Sequence, residues 1–182
     1  MAPRIHLLIA SMALAGAASG ADTCECPDIA DLRNREAESR AAIQAYGAAM
    51  GRWRNNPPAI DESSRRNFQD SEIQPAINLV TTSGTNKAKG VTDASCRTTV
   101  EETSACMREV AAQHEDRHAS ACHVHNQDHP LSPARWSTLA DYAREEISAY
   151  EAEAAYVHGA LSNLQGKCQL QIEMKSEIRG GT

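Results

Sequence analysis

The sequence predicts a mainly α-helical α+β domain with a minor β-hairpin or small sheet, stapled by disulfides. Three observations predict it. Apolar residues recur at helical spacing over three long tracts. One intervening tract is β-branched and bounded by turn formers. Six cysteines, an even number, stand in a chain of 182 residues, a length that suits one compact domain.

The first 21 residues read as an export signal: Arg4 makes a positive n-region, residues 7–15 are apolar, and small residues run from Ala17 to Ala21. Cleavage near Ala18 to Ala21 leaves residues 22–182 as a single exported domain, secreted or periplasmic. The apolar run is shorter than the roughly 20 residues that span a bilayer. No lipobox-like Leu-Ala-Gly precedes Cys24, so neither stable membrane insertion nor a lipid anchor is expected of the mature chain. A formal charge of -6 and 4% aromatic residues argue against nucleic acid and anionic membrane surfaces as partners.

The first helix opens at Pro27-Asp28, with Asp28 as N-cap and apolar residues at Ile29, Leu32, Ile43, Tyr46, Met50 and Trp53, and Asn55-Asn56-Pro57-Pro58 ends it. Residues 54–95 are rich in Ser, Asn, Thr, Gly and Pro. Within them residues 77–82 have strand composition and Ser83-Gly84-Thr85-Asn86 marks a turn, which predicts a β-hairpin. A second helix covers 104–122, and a polar loop with His123, His125 and His129 follows. Ser132-Pro133 starts a long third helix whose seam is Trp136, Ala140, Ala143, Ile147, Tyr150, Ala154, Val157, Leu161 and Leu164. Gly166 fits its C-cap, and alternation over 168–174 predicts a short strand.

The cysteines, Cys24, Cys26, Cys96, Cys106, Cys122 and Cys168, all fall in the exported part, where pairing is expected. Cys24 and Cys26 are too close to bond each other and should tie the N-terminal segment to two different places. One bridge is expected across a short turn, from Cys96 to Cys106.

Chemistry is carried by His114-Glu115-Asp116-Arg117-His118, an H-E-x-x-H motif. Residues four apart share a helix face, so both imidazoles can reach one ion. Glu115 is turned about 100° from His114 and can approach a water at that ion without binding the metal. Zn²⁺ with three protein ligands lowers the pKa of its water to about 7, and Glu115 is the expected general base. With 7 His among 182 residues, chance supplies only about 0.02 such motifs. Asp116 and Arg117 read as solvated helix residues.

The third ligand must come from elsewhere. A metzincin-type extension fails, because Ala121 and Val124 stand where Gly and His are needed. The long helix offers Glu145, Glu146, Glu151 and Glu153. Its seam turns Glu145 to solvent and sets Glu146 beside the core on the line of Leu139 and Glu153, so Glu146 is the expected ligand, with the other three in reserve. Cys122 as a thiolate ligand is disfavoured by export. Residues 77–82 offer a strand along which a peptide substrate could lie.

His114-Glu115-x-x-His118 followed, 28 residues on, by Glu146-x-x-Ala149-Tyr150 resembles the zincin metallopeptidases, in particular the gluzincin type, over about residues 104–156. The resemblance implies a zincin-like domain, Zn²⁺ on His114, His118 and Glu146, catalytic Glu115, and hydrolysis of peptide bonds in peptide or protein substrates. Tyr150 stands where some families place Asp or Asn. Zincins commonly add a Tyr or His that stabilises the transition state, which makes Tyr150 the foremost candidate here, beside Tyr142, His123, His125 and His129. Two other functions fit the same residues: a non-catalytic exported zinc-binding or metal-buffering protein, and a peptidase toxin or effector.

Overall fold

A computed structural model describes residues 23–81, 89–102, 104–129 and 135–180. The expected export signal, the turn at Ser83 to Asn86 and the Ser132-Pro133 helix start lie outside them. The chain is mainly helical. A 3₁₀ turn, Cys26–Asp28, leads into α1 (Ile29–Arg52). Helix α2 (Glu62–Phe68) runs through a π-helical turn into α3 (Gln74–Asn78). Strands β1 (Lys89–Thr92) and β2 (Thr98–Glu101) precede the two long helices α4 (Ala105–Asp128) and α5 (Leu139–Gly180). Helix α5 packs against both α1 and α4. Among the described residues no helix is long and apolar enough to cross a membrane.

Helix α1 carries Asp31 in its first turn and Arg52 in its last, which complements the helix dipole. Asp28 occupies the N-cap position but its side chain does not cap α1. Its carboxylate accepts from the Glu25 N–H at 2.7 Å and so closes the preceding 3₁₀ turn instead. Ser104 caps α4, accepting from the Met107 N–H at 3.4 Å. Helix α4 runs six residues past the expected end, so His123 and His125 are helical rather than in a loop. Helix α5 starts from a reciprocal capping box in which the Thr138 N–H donates to Asp141 at 3.0 Å and the Asp141 N–H donates to Thr138 Oγ1 at 3.2 Å.

Two strand expectations are corrected. Ile77 and Asn78 close α3 and Leu79-Val80 form a turn, because the helical run that begins at Glu62 continues through Pro75 and buries Ile77 in one cluster with Phe68 and Ile73. Residues 168–174 continue α5 straight through Gly166, since extending an existing helix gains one hydrogen bond per residue and Gln, Leu, Glu and Met are good helix formers. The hairpin exists, but later in the chain: β1 pairs antiparallel with β2, from Lys89 opposite Glu101 to Thr92 opposite Thr98. Its turn is closed by Asp93, whose Oδ1 accepts from the N–H groups of Ser95 and Arg97, and it holds Cys96 at φ 61°.

The disulfides are Cys24–Cys106, Cys26–Cys168 and Cys96–Cys122. Cys24 and Cys26 do reach two different helices. The expected Cys96–Cys106 bridge is wrong: Cys106 is buried at the start of α4 against Cys24 and Leu32, whereas the hairpin turn lies over Cys122, more than four helical turns further along.

The apolar core falls into two clusters. One joins Leu32, Met107, Val110, Val157, Leu161 and Leu164. The other joins Ala42, Tyr46, Ala49, Phe68, Ile73, Leu139, Tyr142 and Ala143. The buried polar residues are Glu38 and Ser39 on α1, His114, Glu115 and His118 on α4, and Glu146 and Glu153 on α5, and those of α1 and α5 fall between the two clusters in sequence.

Candidate metal centre

His114, Glu115 and His118 lie on the buried stripe of α4 with Val110, Ala111 and Cys122. Facing them, the buried stripe of α5 runs Leu139, Tyr142, Glu146, Ala149, Glu153 and Val157. It is rotated by about one residue from the expected seam, so Glu146 sits at its centre rather than beside it. Nε2 of His114 and Nε2 of His118 are 3.1 Å apart. The Glu146 carboxylate approaches both, with one oxygen 3.7 Å from His114 Nε2 and the other 3.7 Å from His118 Nε2. Among the described residues these three form the one group of His, Cys, Asp and Glu whose ligand atoms all lie within 4.8 Å of one another.

The partners of the two rings bear on what such a group fits. His118 Nδ1 is 2.6 Å from Glu145 Oε1, which accepts its proton and leaves the lone pair on Nε2. His114 Nδ1 faces Glu153 Oε2 at 3.3 Å, off the line of a good hydrogen bond. At 3.1 Å the two Nε2 atoms either share one proton in an N–H···N hydrogen bond or present both lone pairs to a cation between them. Two tetrahedral ligands about 2.05 Å from an ion stand about 3.3 Å apart, close to the spacing found. Two imidazoles and one carboxylate are a donor set suited to zinc. The residues present therefore fit a bound cation.

Glu145 is a correction. It is only 13% exposed and does not face solvent. Besides His118 it accepts from Arg135 Nε at 3.0 Å and Trp136 Nε1 at 2.8 Å, and Arg135 also donates to the His118 carbonyl. Glu153, held in reserve as a ligand, is wholly buried behind His114, bonded to Arg35 at 2.7 Å and to Ser39 Oγ at 2.5 Å. Burial alone would raise the Glu153 pKa, but the Arg35 charge and the His114 and Ser39 contacts hold it below the usual glutamate value. For His118, burial lowers the pKa, yet the Glu145 bond and the charges of Glu146, Glu145 and Glu115 outweigh it, and the net shift is upward. Glu151 is exposed.

Glu115 is held from the hairpin. Thr92 Oγ1 donates to its Oε2 at 2.7 Å, and a Cβ on Gly90 would lie 2.4 Å from its Cγ, so only glycine lets β1 approach this close. A cleft of about 260 Å³ collects Glu115 with His114, His118 and Glu146, walled by Gly90, Val91, Thr92, Arg65, Arg135 and Tyr142. The strand beside this cleft is β1, not residues 77–82.

Tyr150 stacks edge-on against the His114 ring, centroids 4.5 Å apart, and lines an inner cavity of about 210 Å³ on the Arg35 side of His114 and Glu115. Burial and the Glu146 charge push its phenol upward. Tyr142 borders the cleft itself, and burial pushes its phenol up to about 12. His123 and His129 are exposed, and His125 lines a wider groove next to the cleft, not the cleft. Cys122 is bonded to Cys96 and is not a thiolate ligand. Sequence reasoning missed Gly90, Thr92, Arg35, Ser39, Arg65, Arg135 and Trp136, none of which lies in a motif; the Glu145-Glu146 doublet was the one local signal for a paired carboxylate. No family model, no curated protein and no solved structure matches the chain.

Proposed function

We propose that the chain is an exported zinc-dependent metalloendopeptidase, with His114, His118 and Glu146 as metal ligands and Glu115 as general base. The observation that carries this reading is the convergence of two Nε2 atoms and the Glu146 carboxylate in one cleft with Glu115. A zinc ion held by three protein ligands supplies a Lewis acid and a water of pKa about 7.

The chain's own residues supply the rest. Glu115, positioned by Thr92 and Gly90, takes a proton from water and returns it to the amine that leaves. Glu145 accepts the His118 Nδ1 proton and so leaves that ring's Nε2 lone pair free to bind, and Glu153 faces His114 Nδ1 at 3.3 Å. Among the described residues β1 is paired on one edge only, and its residues 90–92 line the cleft, where an extended peptide can add as a further strand. Three disulfides support export, as does the signal pattern of residues 1–21.

The test is hydrolysis of an unstructured protein such as casein by the zinc-loaded chain. Glu115→Gln should keep one zinc per chain and lose about 10²- to 10⁴-fold in rate. If zinc binds stoichiometrically and the wild type cleaves nothing, the chain is a metal-binding protein without turnover.

A further inference from the structure

We propose that Arg65 is a second catalytic residue, the cation that receives the negative charge of the tetrahedral transition state. The inference rests on the peptidase reading above. When the oxygen of water adds to the carbonyl carbon, its proton passes to Glu115 and the carbonyl π pair moves onto oxygen. That oxyanion needs a positive group on the side of the cleft away from the base. Tyr150, the residue expected for this task, lies in the inner cavity beside Arg35 instead.

Two arginines reach the cleft that holds Glu115 and the ligand cluster. Arg135 is committed: its guanidinium bonds Glu145 and the His118 carbonyl, and it stacks on Trp136. Arg65 has no such bond to the ligand shell. It comes from α2, with its guanidinium 5.7 Å from the centre of the Tyr142 ring, and is 31% exposed. Its ion partner is Glu62, a carboxylate 59% exposed that accepts from Arg65 Nε at 3.1 Å and from one terminal nitrogen at 2.9 and 3.0 Å, and Tyr142 is a further hydrogen-bond partner. The Tyr142 contact already brings the guanidinium to the cleft wall, and the Glu62 pair it would exchange for a developing charge is a solvent-exposed one. Base and cation come from separate elements, Glu115 held by the hairpin and Arg65 carried by α2. Arg66, one residue on, also pairs with Glu62 but is 72% exposed and does not line the cleft.

The experiment compares zinc-loaded wild type with Arg65→Gln, Arg65→Lys, Arg66→Gln and Tyr142→Phe. It reads peptide hydrolysis, zinc stoichiometry and calorimetric binding of a phosphonamidate peptide, a tetrahedral anion. Arg65→Gln should keep its zinc, lower kcat about 10²-fold with KM little changed, and weaken phosphonamidate binding by a similar factor. Arg65→Lys should recover part of both losses, and Arg66→Gln should match wild type. Equal phosphonamidate affinity in Arg65→Gln and Arg66→Gln overturns the proposal, as does a loss confined to KM, or one found in Tyr142→Phe alone. If wild type cleaves no peptide but Arg65→Gln still weakens phosphonamidate binding about 10²-fold, the anion site stands and the peptidase reading falls.

Discussion

Each imidazole of the cluster is backed by a carboxylate, and both carboxylates come from the helix that supplies Glu146. Glu145 orients His118 and Glu153 faces His114. Such outer partners fix the tautomer and raise ligand basicity, and losing one costs about 10- to 100-fold in metal affinity. Glu145→Gln should therefore weaken zinc binding by that factor against a competing chelator, and an unchanged affinity would separate Glu145 from the site. Gly90 is the other residue on which the site turns. In Gly90→Ala the new Cβ meets Glu115 Cγ at 2.4 Å, so either the carboxylate or the strand must move. That variant should keep its zinc while hydrolysis falls at least about 10-fold, since a shift of an ångström at a reacting group can cost 10²-fold. Full activity in Gly90→Ala would show that the base is placed by something other than β1.

At the scale of elements, α5 bears the most, carrying the two outer carboxylates, Glu146 and residues of both apolar clusters. Its start is fixed by the Thr138–Asp141 capping box. Burial raises the Asp141 pKa, but the Thr138 hydroxyl and N–H and the Arg144 charge overcome this, and the carboxyl sits below its ordinary 3.8. A depressed pKa means that the charged form is favoured in the folded state. The contribution is complete above pH 3.8 and is lost as the pH falls through the lowered value. Asp141→Asn should thus destabilise by about 0.5 to 1 kcal/mol at pH 6 and by less near pH 3, read as the difference in denaturant midpoint from wild type. A gap that is the same at both values would rule out the carboxylate as the group responsible.

The molecule as a whole is two apolar clusters separated by a buried polar layer. Such a layer stabilises only if its charges are matched, and the proposed ion would supply a positive charge beside the Glu146 carboxylate. Adding zinc at about 10³ times its dissociation constant should stabilise the chain by about 4 kcal/mol, and a chelator should remove that gain. A melting temperature indifferent to both would place the ion elsewhere or nowhere. The disulfides close 82, 142 and 26 residues of chain, worth about 3 to 5 kcal/mol each in unfolded-state entropy. They clamp the N-terminal segment to α4 and α5, and the hairpin turn to the helix that bears the motif.

The long helices were legible because their signals are local: periodic Leu, Val, Ala and Tyr mark α1, α4 and α5, and on α5 they place the buried face to within about one residue. The H-E-x-x-H motif was legible for the same reason, since one helical turn sets its two imidazoles side by side. Three things were not local, and tertiary structure alone decided them. Ile77 has strand composition, yet packing against Phe68 and Ile73 keeps it helical. Glu145 reads as a surface residue by periodicity, yet Arg135 and Trp136, held in the segment before α5, draw it inward. Cys96 finds Cys122 because the hairpin folds over α4, a closeness in space that no spacing in the chain announces. Period and motif are properties of neighbours along a chain. Partners across it depend on how helices and hairpin pack, and packing is settled only when the whole core forms.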